Sequence, residues 1–198
     1  GVQTCALPIC SIDPVRDIQI IEMELILADI EQLNKKIERL GKEVKAGKKG
    51  AKELLDMANL LLEHLNEGKT ARSFNDFESE AFMELNKELR LLSAKGVIYA
   101  ANVDEDAIQN DNEYVKTLKE YAQKNNSEVM KLCSKIEEEL IGLDDLEAKE
   151  MLESLGAEES GLDAIIRRSF AKLNLISYFT AGVVEVRAWT ITNGWKAP

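Results

Sequence analysis

The stretch AKGVIYAANVDED, from Ala94 to Asp106, decides the fold of this chain. Residues 97–101 form a short apolar run with β-branched and aromatic side chains, which predicts a buried strand of a parallel sheet. The run ends abruptly in residues of a different kind: Asn102, Val103, Asp104 and Glu105. Because ligands of open α/β sheets bind outside the carboxyl ends of the strands, residues 102–105 are predicted to line a binding site.

The residues that follow this strand predict an α/β unit. A helix is expected near residues 113–124, and a second strand near residues 128–133 ends in Ser134 and Lys135. Further helices are expected at about residues 136–141, 146–155 and 161–173. An alternation of strands and helices, with polar residues at both strand ends, is typical of α/β proteins.

Two long helices are predicted upstream of the strand. The first begins after Asp13, with Pro14 in its first turn, and Gly47 and Gly50 end it. Apolar side chains spaced by three and four residues form a seam in each helix: Met23, Ile26, Ile30, Leu33, Ile37, Leu40 and Val44, then Ala51, Leu55, Ala58, Leu62 and Leu65. Two heptad seams joined by a short turn predict an antiparallel coiled-coil hairpin. Two separate helices lying on a globular core are the alternative.

The tip of this hairpin is strongly basic. Only Glu38 and Glu43 oppose its cations, which are Lys35, Lys36, Arg39, Lys42, Lys45, Lys48, Lys49 and Lys52. The cluster is a candidate contact for a phosphate backbone, and it is equally a way to keep an exposed hairpin solvated. His64, the only histidine, has no ligand partner at metal-binding spacing, which favours a surface or packing role.

Two further elements complete the chain. Asn75, with Glu78 three residues later, predicts a capped helix over about residues 76–92 that leads into the strand. The alternating residues 175–179 and 183–191, with a hairpin-type turn at Asn193-Gly194, predict the start of a small β unit.

Composition bounds the class of protein. The chain has 198 residues and a net charge of -11, which disfavours nucleic-acid binding except through a local basic patch. No apolar run approaches the ~18 residues of a membrane span, so a soluble protein is expected. Cys5, Cys10 and Cys133 lack metal or disulfide spacing, which fits a cytoplasmic protein, and Cys133 is expected to pack in the core rather than act in redox chemistry.

The first nine residues do not resemble a natural protein segment. GVQTCALPI, residues 1–9, reads as a translated sequencing adapter, so residues 1–10 are left out of the fold prediction as an artefact or a short leader. The adapter interpretation predicts that the open reading frame began upstream.

Several motifs together resemble the YchF, or Obg-like, ATPases. They are DPVRDI (13–18), ANVDED (101–106), CSKIEEEL (133–140), EESGLDAIIRRSF (158–170) and EVRAWTI (185–191), in that order. The resemblance covers residues 11–198 and implies a ribosome-associated P-loop nucleotidase that prefers ATP over GTP. It implies a coiled-coil insertion over residues 11–74, the C-terminal half of a nucleotide-binding domain over residues 75–174, and the start of a TGS domain over residues 175–198.

The resemblance assigns the polar strand ends to nucleotide-base recognition. Ordinary GTPases carry Asn-Lys-x-Asp after this strand, and the Asp accepts two hydrogen bonds from guanine. Here Val103 replaces the Lys and Glu105 replaces the Asp with a longer side chain, so the loop is poorly built for guanine. By resemblance, Asn102 contacts the base, Glu105 lines its pocket, and Ser134 with Lys135 forms the second base loop. A simple polar β–α turn, with Asn102 as a helix cap, is the alternative.

The chain contains no G-x-x-x-x-G-K-[ST] motif, so nothing in it would cradle the phosphates or hold Mg²⁺. Family members carry these parts upstream, and no residue here qualifies as a general base or nucleophile. The resemblance therefore predicts part of an ATPase that uses ATP and Mg²⁺, with this chain alone inactive. The competing hypothesis is a non-enzymatic coiled-coil module that binds RNA or protein through its basic tip. The resemblance makes ribosomal RNA the expected partner of that tip, with Lys42, Lys45, Lys48 and Lys49 as the candidate contacts.

Overall fold

The computed structural model describes residues 12–196, and the predicted artefact at residues 1–10 lies outside them. The chain forms two compact units, divided between Gly96 and Val97, which are described separately. No helix in the described part has the length and apolarity that crossing a membrane requires.

The first unit is built on two packed helices, α1 (Pro14–Lys45) and α2 (Ala51–Asn66). Helix α1 begins where the sequence predicts, because the side chain of Asp13 accepts a hydrogen bond of 3.0 Å from the amide of Arg16. Between the helices, Gly47 and Gly50 have φ of 74° and 79°, values that glycine adopts without steric cost. The predicted helical hairpin is therefore present, and coiled-coil supercoiling stays a prediction.

The core of the first unit follows most of the predicted seam. Its buried apolar side chains in the two helices are Ile26, Leu33, Leu40, Ala51, Ala58, Leu61 and Leu65. The seam prediction was wrong at Met23, which is 44% exposed. Leu62 is half-buried and packs against the core, next to the fully buried Leu61. Helix α2 packs against both α1 and a third helix, so its buried face turns away from a simple two-helix seam.

That third helix, α3 (Glu80–Leu89), begins later than predicted. Its N-cap is Ser79, whose hydroxyl accepts a hydrogen bond of 3.2 Å from the amide of Phe82. The cap predicted at Asn75 was wrong, because residues 74–79 close tight turns that set Phe74 and Phe77 against Phe82. A short 3-10 helix, Ala71–Ser73, precedes these turns.

A buried carboxylate joins the middle of α1 to the C-terminal end of the first unit. Asp29 of α1 is 0% exposed, and it accepts hydrogen bonds from the amides of Leu92 and Ser93, each 2.7 Å, and from the Ser93 hydroxyl, 2.6 Å. The Ser93 hydroxyl also accepts from the amide of Ala71. One buried side chain thus connects α1 to the segment that runs towards the strand of the second unit.

The second unit contains the predicted α/β arrangement. In chain order its first part has β1 (Ile98–Asn102), α4 (Asp106–Gln109), α5 (Glu113–Lys124), β2 (Glu128–Leu132), α6 (Ser134–Leu140), α7 (Asp145–Ser154) and α8 (Gly161–Lys172). Strands β1 and β2 are parallel, with Ile98 opposite Glu128 and Asn102 opposite Leu132. Helix α4 has no counterpart among the predicted elements.

The prediction that β1 is fully buried was wrong. Ala100 is exposed, and the side chains of Ile98, Tyr99 and Ala101 are half-buried. Within the described residues β1 pairs only with β2, and helices α5 and α8 pack on β2. One side of β1 therefore lacks the cover that a central strand of a parallel sheet receives.

An antiparallel hairpin, β3 (Leu175–Ala181) with β4 (Val186–Thr192), ends the second unit. The chain reverses at residues 182–185, where the amide of Gly182 donates to the carbonyl of Glu185. Asn193-Gly194 forms a turn after β4 and does not connect the two strands. The β unit is thus present, and its assignment to a TGS domain stays a prediction.

Candidate base-recognition site

The ends of β1 and β2 bring the two predicted base loops together. The strands are in register up to Asn102 and Leu132, and the amide of Val103 donates to the carbonyl of Leu132 at 2.8 Å. Because the strands are parallel, the residues that follow each of them leave the sheet at the same edge. Residues 103–105 and 133–135, which are distant in sequence, thus become neighbours.

Asn102 links the two loops directly. Its Oδ1 atom accepts hydrogen bonds from the amide of Ser134, 3.0 Å, and from the Ser134 hydroxyl, 2.9 Å. The alternative prediction was a polar turn with Asn102 as a helix cap. Helix α4 has no side-chain cap, and Asn102 instead accepts from the first amide of α6. The Nδ2 group of Asn102 has no hydrogen-bond acceptor among residues 12–196, so it can donate to a ligand.

A second link joins Glu105 to Lys135. The Lys135 Nζ atom lies 2.6 Å from Oε1 of Glu105, and both side chains are exposed. The hydrogen bond to Glu105 and its negative charge raise the pKa of Lys135 above its ordinary value. The carboxylate that the sequence analysis assigns to the base pocket is therefore paired with a cation through one of its oxygens.

These loops border an open depression at the sheet edge, lined by Asp104, Glu105, Asp106, Cys133 and Lys135. Val103 is half-buried beside it. Cys133 is 4% exposed, in agreement with the predicted packing role. No group of three or more His, Cys, Asp or Glu side chains in the described part is arranged to hold a metal ion.

Sequence reasoning missed the contacts that support the loops from behind. The Nζ atom of Lys131, a residue of β2, donates to the carbonyls of Ala107 and Ile108, and so holds α4. Glu137, on α6, accepts hydrogen bonds from the amides of Gly161 and Leu162 at the start of α8. A local sequence pattern carries no signal for either contact, since each joins residues more than twenty positions apart.

In the structure, acidic side chains pair with several cations of the hairpin tip and reduce its positive charge. Lys36 and Arg39 pair with Glu88 of α3, Lys35 lies 2.6 Å from Glu31, and Lys48 lies 2.9 Å from Glu43. The predicted contacts Lys42, Lys45, Lys48 and Lys49 are all exposed. Of these four, only Lys48 forms an ion pair within the described part of the chain.

His64 is a packing residue, as the sequence predicts. Its Nε2 atom lies 3.0 Å from the carbonyl oxygen of Thr70 and 3.0 Å from the Ser73 hydroxyl. Its ring meets that of Phe74 edge-on at a centroid distance of 5.3 Å. The imidazole thus ties α2 to the segment that follows it.

Comparison with known proteins identifies relatives along the whole described chain. No family model matches. The ribosome-binding ATPase YchF of Bacillus subtilis is 43% identical over 189 residues, 94% of this chain and 51% of the relative. The Obg-like ATPase homolog of Schizosaccharomyces pombe is 40% identical over 192 residues, 95% of this chain and 46% of the relative.

A solved structure, that of the Schizosaccharomyces pombe YchF GTPase, matches with a TM-score of 0.82 at 31% identity. The match covers 100% of this chain and 54% of that one. The chain thus spans about half the length of the relatives it matches. Over that span, the chain belongs to the YchF, or Obg-like, ATPase family.

Proposed function

We propose that this chain supplies the base-recognition loops and a helical arm to a ribosome-associated P-loop ATPase that prefers ATP over GTP. The observation that carries the proposal is the pairing of the two loops at the sheet edge, through Asn102 with Ser134 and Glu105 with Lys135. The relatives whose names state ribosome binding and ATP hydrolysis support the same assignment.

The ion pair gives a physical reason for the choice of base. Guanine presents donors on its Watson–Crick edge and needs a free carboxylate to accept them, whereas adenine has an acceptor at N1 and a donor at N6. Because Lys135 already binds one oxygen of the Glu105 carboxylate, that group is a weaker acceptor for guanine. The free Nδ2 donor of Asn102 suits an acceptor nitrogen of a purine.

The phosphates and Mg²⁺ would be bound by residues that this chain does not contain. Bound Mg²⁺ would neutralise charge on the phosphates during transfer to water. The residues of this chain would hold and orient the base, and the chain alone is expected not to hydrolyse ATP. The names of the relatives support the ribosome or its RNA as the partner, and we propose that the complete protein acts in the cytoplasm.

A double substitution tests the base choice in the protein produced from the complete open reading frame. Glu105→Asp with Val103→Lys rebuilds the Asn-Lys-x-Asp pattern. The shorter Asp side chain also draws the carboxylate away from Lys135, so the nucleotide preference should move from ATP towards GTP. Val103→Lys alone is the matched control, since it adds the same charge and keeps Glu105. An unchanged ratio of ATP to GTP affinity would show that the base-loop reasoning is wrong.

The exposed tip supports a second candidate function, a non-enzymatic module that binds RNA or protein through the helical arm. A P-loop motif in frame in the upstream DNA would decide for the ATPase. Under either function, we propose that the four tip lysines contact RNA phosphates without reading sequence: Lys42, Lys45, Lys48 and Lys49.

Replacing all four tip lysines by Gln should weaken ribosome or RNA binding and reduce the log–log salt slope by about three to four. The smaller figure applies if Lys48 stays with Glu43. The melting temperature should hardly change, because all four side chains are exposed. The matched control replaces four exposed lysines away from the tip by Gln: Lys87, Lys95, Lys116 and Lys124. If both sets of substitutions changed RNA binding equally, the tip would be only a solvated turn.

A further inference from the structure

Helix α6 carries Ser134 and Lys135 in its first turn, and it is only 7 residues long. One buried apolar side chain, Ile136, anchors it. So short a helix has little intrinsic stability, so its orientation depends on what its side chains contact. The contacts of its next residue, Glu137, therefore bear on where the second base loop lies.

The Glu137 carboxylate is bound at the N-terminus of α8. Its Oε1 atom accepts from the amide of Gly161 at 2.6 Å, and Oε2 accepts from the amide of Leu162 at 3.3 Å. The first amides of a helix have no partner within the helix, and their partial positive charge favours an anion. Both oxygens of one carboxylate are thus engaged by one helix end.

Gly161 makes room for this contact. A Cβ atom there would lie 2.7 Å from Cβ of Leu132 and 2.9 Å from Oε1 of Glu137. Both distances are shorter than side-chain atoms tolerate, so any larger residue would push α8 away from β2 and from the carboxylate. The close approach of the α8 backbone is therefore what allows Glu137 to reach it.

We propose that Glu137 is a positioning residue for the second base loop. By holding α6 against α8, it places the amide of Ser134 on Asn102 and Lys135 on Glu105. The inference rests on the proposed role of these loops in binding the nucleotide base. Its structural part, the placement of Ser134 by Glu137, stands on the contacts alone.

Amide hydrogen exchange tests the structural part on the chain as it stands. Glu137→Ala should speed exchange of the Gly161 and Leu162 amides by about tenfold or more, since it removes hydrogen bonds to a charged acceptor. It should also speed exchange at the Ser134 amide, which donates to Asn102 and not to Glu137. Glu138→Ala, an exposed neighbour with the same charge change, should leave all three amides unchanged. Protection of Ser134 that survives Glu137→Ala would overturn the proposal.

Nucleotide kinetics test the functional part in the protein from the complete open reading frame. Base contacts are made equally in the ground state and the transition state, so Glu137→Ala should raise KM for ATP about tenfold and leave kcat unchanged. Glu137→Gln keeps a neutral acceptor and should restore part of the affinity. If the Ala variant does not fold, the comparison of Glu137→Gln with Glu138→Gln tests the proposal through the same two measurements, amide exchange at Ser134 and KM for ATP.

The outcomes separate the two proposals. If the unsubstituted protein does not bind ATP, the proposed function fails while the exchange of Ser134 still tests Glu137. If ATP binds and Glu137→Ala changes neither KM nor Ser134 exchange, the positioning role fails while the proposed function stands. A fall in kcat and in active fraction together, without a change in KM, would mark Glu137 as a merely stabilising residue and would also overturn the proposal.

Discussion

Replacing Asp29 by Ala is expected to destabilise the first unit severely. The Asp29 side chain is fully buried and accepts hydrogen bonds from three donors, the amides of Leu92 and Ser93 and the Ser93 hydroxyl. A hydrogen bond to a charged group contributes about 1.5–3 kcal/mol, and a buried donor left unpaired costs about 1–3 kcal/mol. Because the Leu92 amide is only partly buried, water can satisfy it, and we expect a total loss of about 3–5 kcal/mol.

Two other substitutions on α1 calibrate this expectation. Asp29→Asn keeps one carbonyl oxygen as an acceptor but sets an amide N–H group against the remaining donors, so it should cost about half as much. Glu38→Ala removes the same charge from an exposed position on the same helix and should change the unfolding free energy by less than about 0.5 kcal/mol.

Urea unfolding followed by two probes measures the effect. Far-UV circular dichroism reports mainly on the long helices, whereas both tryptophans, Trp189 and Trp195, lie in the second unit. The dichroism midpoint of Asp29→Ala should fall by more than about 1 M urea. Any shift of the fluorescence midpoint measures how far the second unit depends on the first. A dichroism midpoint equal to that of Glu38→Ala would refute the reasoning.

The remaining predictions concern nucleotide affinity and pH. The chain alone should bind ATP with Mg²⁺ only weakly, because phosphate contacts supply most of the affinity in such sites, and micromolar binding by calorimetry would contradict this. Hydrogen bonds from Lys36 and Arg39 lower the pKa of Glu88 in the folded chain, so the stability it contributes is present above its ordinary value of 4.5 and is lost as the pH falls through the lowered pKa. Glu88→Gln should therefore lower the free energy of unfolding at neutral pH by about 1 kcal/mol, and this difference from the unsubstituted chain should disappear in acid. Glu84→Gln, an exposed substitution on the same helix, should show no such pH-dependent difference.

The elements of this chain could be predicted from its sequence because local patterns determine them. Apolar spacing with Asp13, Gly47 and Gly50 located the two long helices, since caps and positive-φ glycines act within a few residues. The β-branched run and the polar residues after it located β1 and the first base loop. Pairing of β1 with β2 then follows from parallel strand order, so Asn102 and Ser134 were expected at the same edge.

Only the tertiary structure decided which side chains meet. Glu88 comes from α3 to neutralise Lys36 and Arg39, so the charge of the hairpin tip could not be read from residues 35–52 alone. The pairing of Lys135 with Glu105 and the contact of Glu137 with Gly161 likewise join residues that lie more than twenty positions apart. Helix α3 begins at Glu80, with Ser79 as its N-cap, because Phe74 and Phe77 pack on Phe82. Burial of those rings outweighs the local capping pattern at Asn75. Local propensity acts over a few residues, whereas these contacts depend on how distant segments approach one another once the core is formed.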